Sequence, residues 1–93
     1  MHYIKVTWTH SSAKGPVLLY SELDEERWET RKIEVFVDGR MGHAASDRAF
    51  GGTELGSAPV PSLAEINEDS QFSAAEIASA EFQQVWEEAT SGR

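Results

Sequence analysis

The dipeptide Asp38-Gly39, set between two β-rich runs, constrains this chain more than any other feature. Glycine tolerates the positive φ that a tight turn demands, and Asp-Gly suits both central positions of a type I′ turn, a common two-residue link between antiparallel strands. The runs from Arg27 to Val37 and from Arg40 to Ala44 are therefore expected to pair. A two-residue loop sets the register: Val37 faces Arg40, Phe36 faces Met41, Val35 faces Gly42, Glu34 faces His43 and Ile33 faces Ala44. In that register Ile33, Val35 and Val37 share a sheet face with Gly42 and Ala44, whose small side chains leave room for a helix or a Trp. That face is the expected core.

Upstream, His2, Ile4, Val6, Trp8 and His10 alternate with Tyr3, Lys5, Thr7 and Thr9, the period-2 pattern of a half-buried strand over 2–10. The polar Ser11–Pro16 segment ends in Gly-Pro, and Val17-Leu18-Leu19-Tyr20 reads as a second strand, hairpinned to the first. Asp24-Glu25-Glu26 reads as a solvated connection. Beyond the Asp-Gly hairpin, Ala45 to Pro61 carries Gly51-Gly52, Gly56, Pro59 and Pro61, a long connection with at most one short extended piece at Thr53 to Leu55. Connections of that length need a reason.

Ser62-Leu63-Ala64-Glu65 is a capping box opening a short helix to about Asn67, with Leu63 and Ile66 inward. Phe72 to Ala78 fits a helix by its alanines and a strand by its length, and strand is preferred. Ser79 is a suitable N-cap, and Phe82, Val85, Trp86 and Ala89 recur at i, i+3, i+4 and i+7 along a helix over about 80–90. Its stripe is expected to bury Phe82, Val85 and Trp86 against Ile33, Val35, Ile4 and Val6. The fold class is α+β: an antiparallel sheet of four or five strands, with a C-terminal amphipathic helix and one short helix packed on it, in a single domain over 1–93.

Charge narrows the partners. Sixteen Asp and Glu against eight Lys and Arg give a net charge of −8, a field that opposes nucleic acid and anionic lipid, so neither is an expected partner. Residues 1–46 hold six basic and seven acidic side chains, whereas 47–93 hold two and nine. The absence of cysteine removes disulfides and thiolate chemistry and suits a reducing compartment. The first nine residues carry Lys5 and no long apolar run, which speaks against a signal sequence or membrane span and for the cytoplasm.

The chain resembles a family of short bacterial proteins of unknown function, over nearly its full length. The resemblance rests on Tyr3-Ile4-Lys5-Val6 with Trp8, on Tyr20-Ser21-Glu22-Leu23-Asp24 running into Arg27-Trp28-Glu29 and Arg31-Lys32, and on Asp38-Gly39. It continues in Phe50-Gly51-Gly52-Thr53 with Leu55, Pro61-Ser62-Leu63 with Glu65-Ile66-Asn67, and Glu81-Phe82 with Trp86. What the resemblance implies is a domain of this length and a role in immunity or toxin neutralisation, with no catalytic residue or cofactor attached.

Among the reactive side chains, His2 and His10 share a strand face but lie about 27 Å apart along an extended strand, too far to ligate one ion. His43 opposite Glu34 is expected to form a cross-strand ion pair. Gly51-Gly52-Thr53-Glu54-Leu55-Gly56 has no Lys followed by Ser or Thr at a helix N-terminus, which a phosphate-binding loop needs. The carboxylates Glu22, Asp24, Glu29 and Asp47 are candidates for acid–base work, but no spacing brings two together. Ser11, Ser21 and Ser46 sit in no nucleophile elbow. No catalytic residue, cofactor or metal site is therefore expected.

Two surfaces remain. Arg27 to Lys32 interleaves basic residues with Trp28, and alternation places Trp28, Lys32, Glu34 and Phe36 opposite Ile33, Val35 and Val37, unless a bulge near Thr30 switches the face, with Met41 and His43 joining through the hairpin register. That mixture suits a protein interface or, alternatively, a second small core in which Trp28 and Phe36 lie under the long loop or the short helix. The other surface is acidic: Glu54, Glu65, Glu68, Asp69, Glu76, Glu81, Glu87 and Glu88. The expectation is a non-catalytic interaction module, of an immunity or inhibitor type, masking a basic protein partner through Trp28, Glu34, Phe36, Met41, His43, Glu81, Glu87 and Glu88. The alternative is a small enzyme or ligand-binding domain with a pocket between the sheet and loop 45–61, lined by Trp28, Phe36 and Phe50.

Overall fold

Five strands follow one another as an antiparallel meander, and a sixth returns to the far edge of the same sheet. The computed structural model describes residues 1–11 and 15–91. Its elements are β1 (His2–Trp8), β2 (Pro16–Leu23), β3 (Glu29–Phe36), β4 (Met41–Ala45), β5 (Arg48–Phe50), α1 (Leu63–Ile66), β6 (Phe72–Glu76) and α2 (Ser79–Thr90). The strand order is β5-β4-β3-β2-β1-β6, every neighbour antiparallel. The class is α+β as expected, with six strands rather than four or five. The added strand, β5, uses Arg48–Phe50, whereas Thr53 to Leu55 forms no strand. Part of the Ser11–Pro16 connection lies outside the described residues.

The topology gives the long connection its reason. The chain leaves β5 at one edge and must enter β6 at the other, five strand spacings or about 24 Å away. Residues 51–71 therefore run across a sheet face. The capping box forms as expected: the Glu65 N–H donates to Ser62 Oγ at 3.2 Å. Phe72 to Glu76 is a strand, and its outer edge is closed by Asn67, whose side chain accepts from the Ala74 N–H at 2.7 Å and donates to the Ala74 carbonyl at 3.0 Å. An edge strand covered in this way offers less template for pairing with another chain. α2 begins at Ser79, with Ala78 at the N-cap and no side-chain cap bond, so Ser79 is not the cap.

The Asp-Gly hairpin forms, but in a different register. Val35 pairs with Met41, Glu34 with Gly42, Ile33 with His43 and Lys32 with Ala44. The reason lies in the turn. A type I′ turn needs positive φ at two residues, and only Gly39 has it, at 89°. The Gly39 N–H donates to the Phe36 carbonyl and the Phe36 N–H to the Arg40 carbonyl, both at 2.9 Å, which makes a three-residue loop with a bulge at Gly39. One residue of slip moves every β4 side chain to the other face. His43 and Met41 thus point to the same side as Ile33 and Val35, and the expected His43–Glu34 pair does not exist.

The β2–β3 hairpin repeats this geometry without a glycine. The Arg27 N–H donates to the Asp24 carbonyl at 2.9 Å and the Asp24 N–H to the Trp28 carbonyl at 3.0 Å, so Arg27 stands where the next hairpin has Gly39. Its φ is 70°, the left-handed region that disfavours a side chain.

Both sheet faces are covered. On the helix face, Tyr20, Ile33, Phe82 and Ala89 are buried together, with Tyr3, Val35, Met41 and Trp86 packed around them. On the loop face, Ile4, Val6, Leu23 and Ala74 form a second core beneath Val60, Leu63 and Ile66. Phe82 thus meets Ile33 as expected, while Ile4 and Val6 lie on the opposite side of the sheet, and Val85 and Trp86 are only half-buried. Gly42 sits on the loop face, where it admits the buried Thr53 instead of a helix. A Cβ there would fall on the Thr53 hydroxyl and 3.0 Å from the Phe50 carbonyl oxygen. Gly42→Ala is therefore expected to lower the urea midpoint by the equivalent of about 1–3 kcal/mol through overpacking. An unchanged midpoint would mean that Thr53 does not seat against β4.

Candidate functional site

Cross-strand rows decide which charged groups are available. On the helix face, Tyr3, Glu22 and Arg31 form one row across β1, β2 and β3. Arg31 grips Glu22 with two bonds, Nε at 3.0 Å and Nη2 at 2.8 Å, while Thr30 Oγ1 donates to the same carboxylate at 2.8 Å. The Arg31 bond, aided by Thr30, holds the Glu22 carboxyl below its ordinary range despite burial. The guanidinium also lies 4.9 Å from the ring centres of both Phe82 and Trp86 and donates to Gln83 at 3.1 Å, so it fastens α2 to the sheet.

On the loop face, Lys32 Nζ stands 3.9 Å from both Glu29 and Glu34. Glu29 accepts from the Gly56 N–H at 2.6 Å and the Ser21 hydroxyl at 3.0 Å, and Glu34 accepts from the Thr53 hydroxyl at 2.8 Å. These bonds pin residues 53–56 onto the sheet. Asp24 is likewise used in its turn, accepting from the N–H groups of Glu26 and Trp28 at 2.9 Å each, and Asp47 pairs with Arg48 at 3.4 Å. The four carboxylates considered for acid–base work thus have local structural partners.

The residues expected to share one interface separate. Glu34 belongs to the loop-face network. His43 is buried on the helix face, stacked at 5.6 Å on Phe50 and edge-on at 5.4 Å to Trp86, and Met41 packs in the same core. Trp28 is partly exposed and Phe36 lies under Arg40, 5.1 Å from its guanidinium. The second core is real, but it is built of aliphatic residues and Phe72, not of Trp28 and Phe36. Glu81, Glu87 and Glu88 lie exposed on α2. The slip at Gly39 carries Met41 and His43 away from Glu34, and a second irregularity, an extra residue at Thr30 opposite Glu22 and Leu23, breaks the alternation that put Trp28 with Lys32.

The acids of the second half behave differently from those of the first. Among the described residues, five of the first half's seven acids, Glu22, Glu25, Glu29, Glu34 and Asp38, have ion-pair partners, against two of the second half's nine, Asp47 and Glu76. Glu54, Glu65, Glu68, Asp69, Glu81, Glu87 and Glu88 are exposed, and no ion pair among the described residues includes them. They occupy both sides of the sheet, with Glu65, Glu68 and Asp69 around α1 and Glu81, Glu87 and Glu88 on α2. No group of three or more potential metal-ligating side chains occurs among the described residues.

A cleft of about 340 Å³ opens between the loop face and the α1 segment, with Ile4, Val6, Leu19 and Phe72 on the sheet side and Val60, Pro61 and Ile66 on the other. The pocket expected between the sheet and loop 45–61, lined by Trp28, Phe36 and Phe50, divides between two places. Trp28 does not line the cleft, and Phe36 and Phe50 instead flank a separate depression beside Met41.

The model of a domain of unknown function, DUF6881, matches residues 2–91 of the chain. The chain belongs to the DUF6881 family. The match spans all six strands and both helices, so the charge partition and the cleft described above lie within the DUF6881 domain. No curated protein and no solved structure matches it. No helix among the described residues is long and apolar enough to cross a membrane.

Proposed function

We propose that this DUF6881 domain is a non-catalytic interaction module that masks a basic protein partner, in the manner of an immunity or inhibitor protein. The observation that carries this reading is the partition of charge. Among the described residues, five of the seven carboxylates of the first half have ion-pair partners, whereas seven of the nine in the second half face solvent without an ion pair. Uncompensated acids raise the negative potential outside the molecule and steer a cationic protein toward it. The candidate acids for catalysis, by contrast, are engaged in turns and strand pinning, which leaves no poised acid–base pair.

The test begins with a pull-down of the partner, followed by association kinetics. Raising salt from about 50 to 500 mM shortens the Debye length to about 4 Å and is expected to slow association tenfold or more, with dissociation nearly unchanged. Reversing Glu81, Glu87 and Glu88 to Lys is expected to slow association at low salt while α2 stays folded. A partner whose on-rate ignores both salt and charge reversal would remove this reading.

A further inference from the structure

The cleft under α1 combines an apolar interior with a charged mouth. Its volume of about 340 Å³ stands at the low end of the roughly 300–1,000 Å³ spanned by ligand pockets, room for one or two side chains. The roof is held in place by Arg27. Its carbonyl accepts from the Val60 N–H at 2.8 Å, and its guanidinium donates to the carbonyls of Val60 and Pro61 at 2.8 and 2.7 Å. Arg27 makes this clamp from a positive φ, and such strain persists where the surrounding structure holds it, often at ligand clamps.

The mouth is acidic. Glu65 and Asp69 line it, both exposed and in no ion pair among the described residues. No Lys or Arg among the described residues lines the cleft, whereas Glu29, Glu65 and Asp69 do; Lys32 lies between Glu29 and Glu34, and Arg27 directs its N–H groups to the carbonyls of Val60 and Pro61. An anionic amphiphile would set its charge against this rim, and a neutral apolar ligand would gain nothing from it. An apolar group with positive charge beside it satisfies both parts. We infer that the cleft seats an apolar side chain from a peptide segment of the partner, with a neighbouring Lys or Arg paired to Glu65 and Asp69. This inference rests on the reading of a basic protein partner and adds where, and by what chemistry, that partner is anchored.

Capped tripeptides serve as probes, with the protein's methyl and amide NMR signals as readout at low salt. Lys-Phe-Lys is expected to shift the methyls of Ile4, Val6, Leu19 and Ile66 saturably, whereas Lys-Ser-Lys and Glu-Phe-Glu leave them in place. Glu65→Gln and Asp69→Asn keep a side-chain oxygen that accepts from the Ser62 hydroxyl and the Gln71 N–H and are expected to weaken Lys-Phe-Lys about threefold each. Leu19→Phe, which fills the cleft, is expected to abolish the methyl shifts while the α2 amide signals stay in place and report an intact fold. Equal binding of Glu-Phe-Glu, or no methyl shift with Lys-Phe-Lys at about 10 mM, overturns the inference. Equal shifts from Lys-Phe-Lys and Lys-Ser-Lys, confined to Glu81, Glu87 and Glu88, overturn the cleft but leave the basic-partner reading standing. Salt-insensitive association of the isolated partner overturns that reading instead.

Discussion

Replacing Phe82 with Ala is expected to cost about 3–5 kcal/mol, most of the stability of a domain this small. Phe82 is fully buried at the centre of the helix face, against Ile33 and Tyr20, with the Tyr3 ring 5.4 Å away and the Arg31 guanidinium 4.9 Å from its ring. Truncation would remove the transfer energy of the ring and leave a cavity between a helix and a sheet that are both fastened by Arg31, so collapse into the gap is limited. Trp86 is half-buried and rests at the rim of the same cluster, so Trp86→Ala is expected to cost less. Urea unfolding of both variants checks the order. A larger loss for Trp86→Ala would place the centre of the core elsewhere on α2.

Arg31→Met is the second large effect, about 3 kcal/mol, at the low end for breaking a buried ion pair because Arg31 keeps 22% of its side-chain surface exposed. The variant leaves the Glu22 carboxylate buried without its cation and removes the tie to Gln83. It should also change the acid limb of stability. Glu22 is held below its ordinary value of 4.5 in the folded protein, first by its bond with Arg31. The unfolded chain therefore takes up the proton first as pH falls, and the pair's contribution, complete above that value, is lost as pH drops through the folded one. Tyr3 acts on the opposite limb: burial and the neighbouring Glu22 raise its hydroxyl above 10.0, so its contribution is lost as pH rises beyond that. Thermal melts between about pH 5 and pH 3 should show a shallower decline for Arg31→Met than for the wild type. Identical slopes would mean that Arg31 does not set the Glu22 proton affinity.

The sequence by itself determined the local elements, because each rests on interactions among near neighbours. Alternation along His2–Trp8, the Ser62–Glu65 capping box and the Phe82–Trp86 stripe all appear where their patterns fall. The α+β class follows from them. Tertiary structure alone decided the register at Gly39 and, with it, every face assignment on β4. A two-residue and a three-residue turn both accommodate Asp-Gly, so the local cost does not separate them, yet the slip between them carries His43 from the side of Glu34 to that of Ile33. The same holds for charge. Composition counts the acids, but whether an acid is consumed or presented depends on which strand lies beside it: Glu22 meets Arg31 and Glu29 meets Lys32 and Gly56 only because β2, β3 and the crossing loop are brought together. The cleft likewise exists only because residues 51–71 must cross from one sheet edge to the other, and Arg27, strained in its turn, holds the crossing segment where it does.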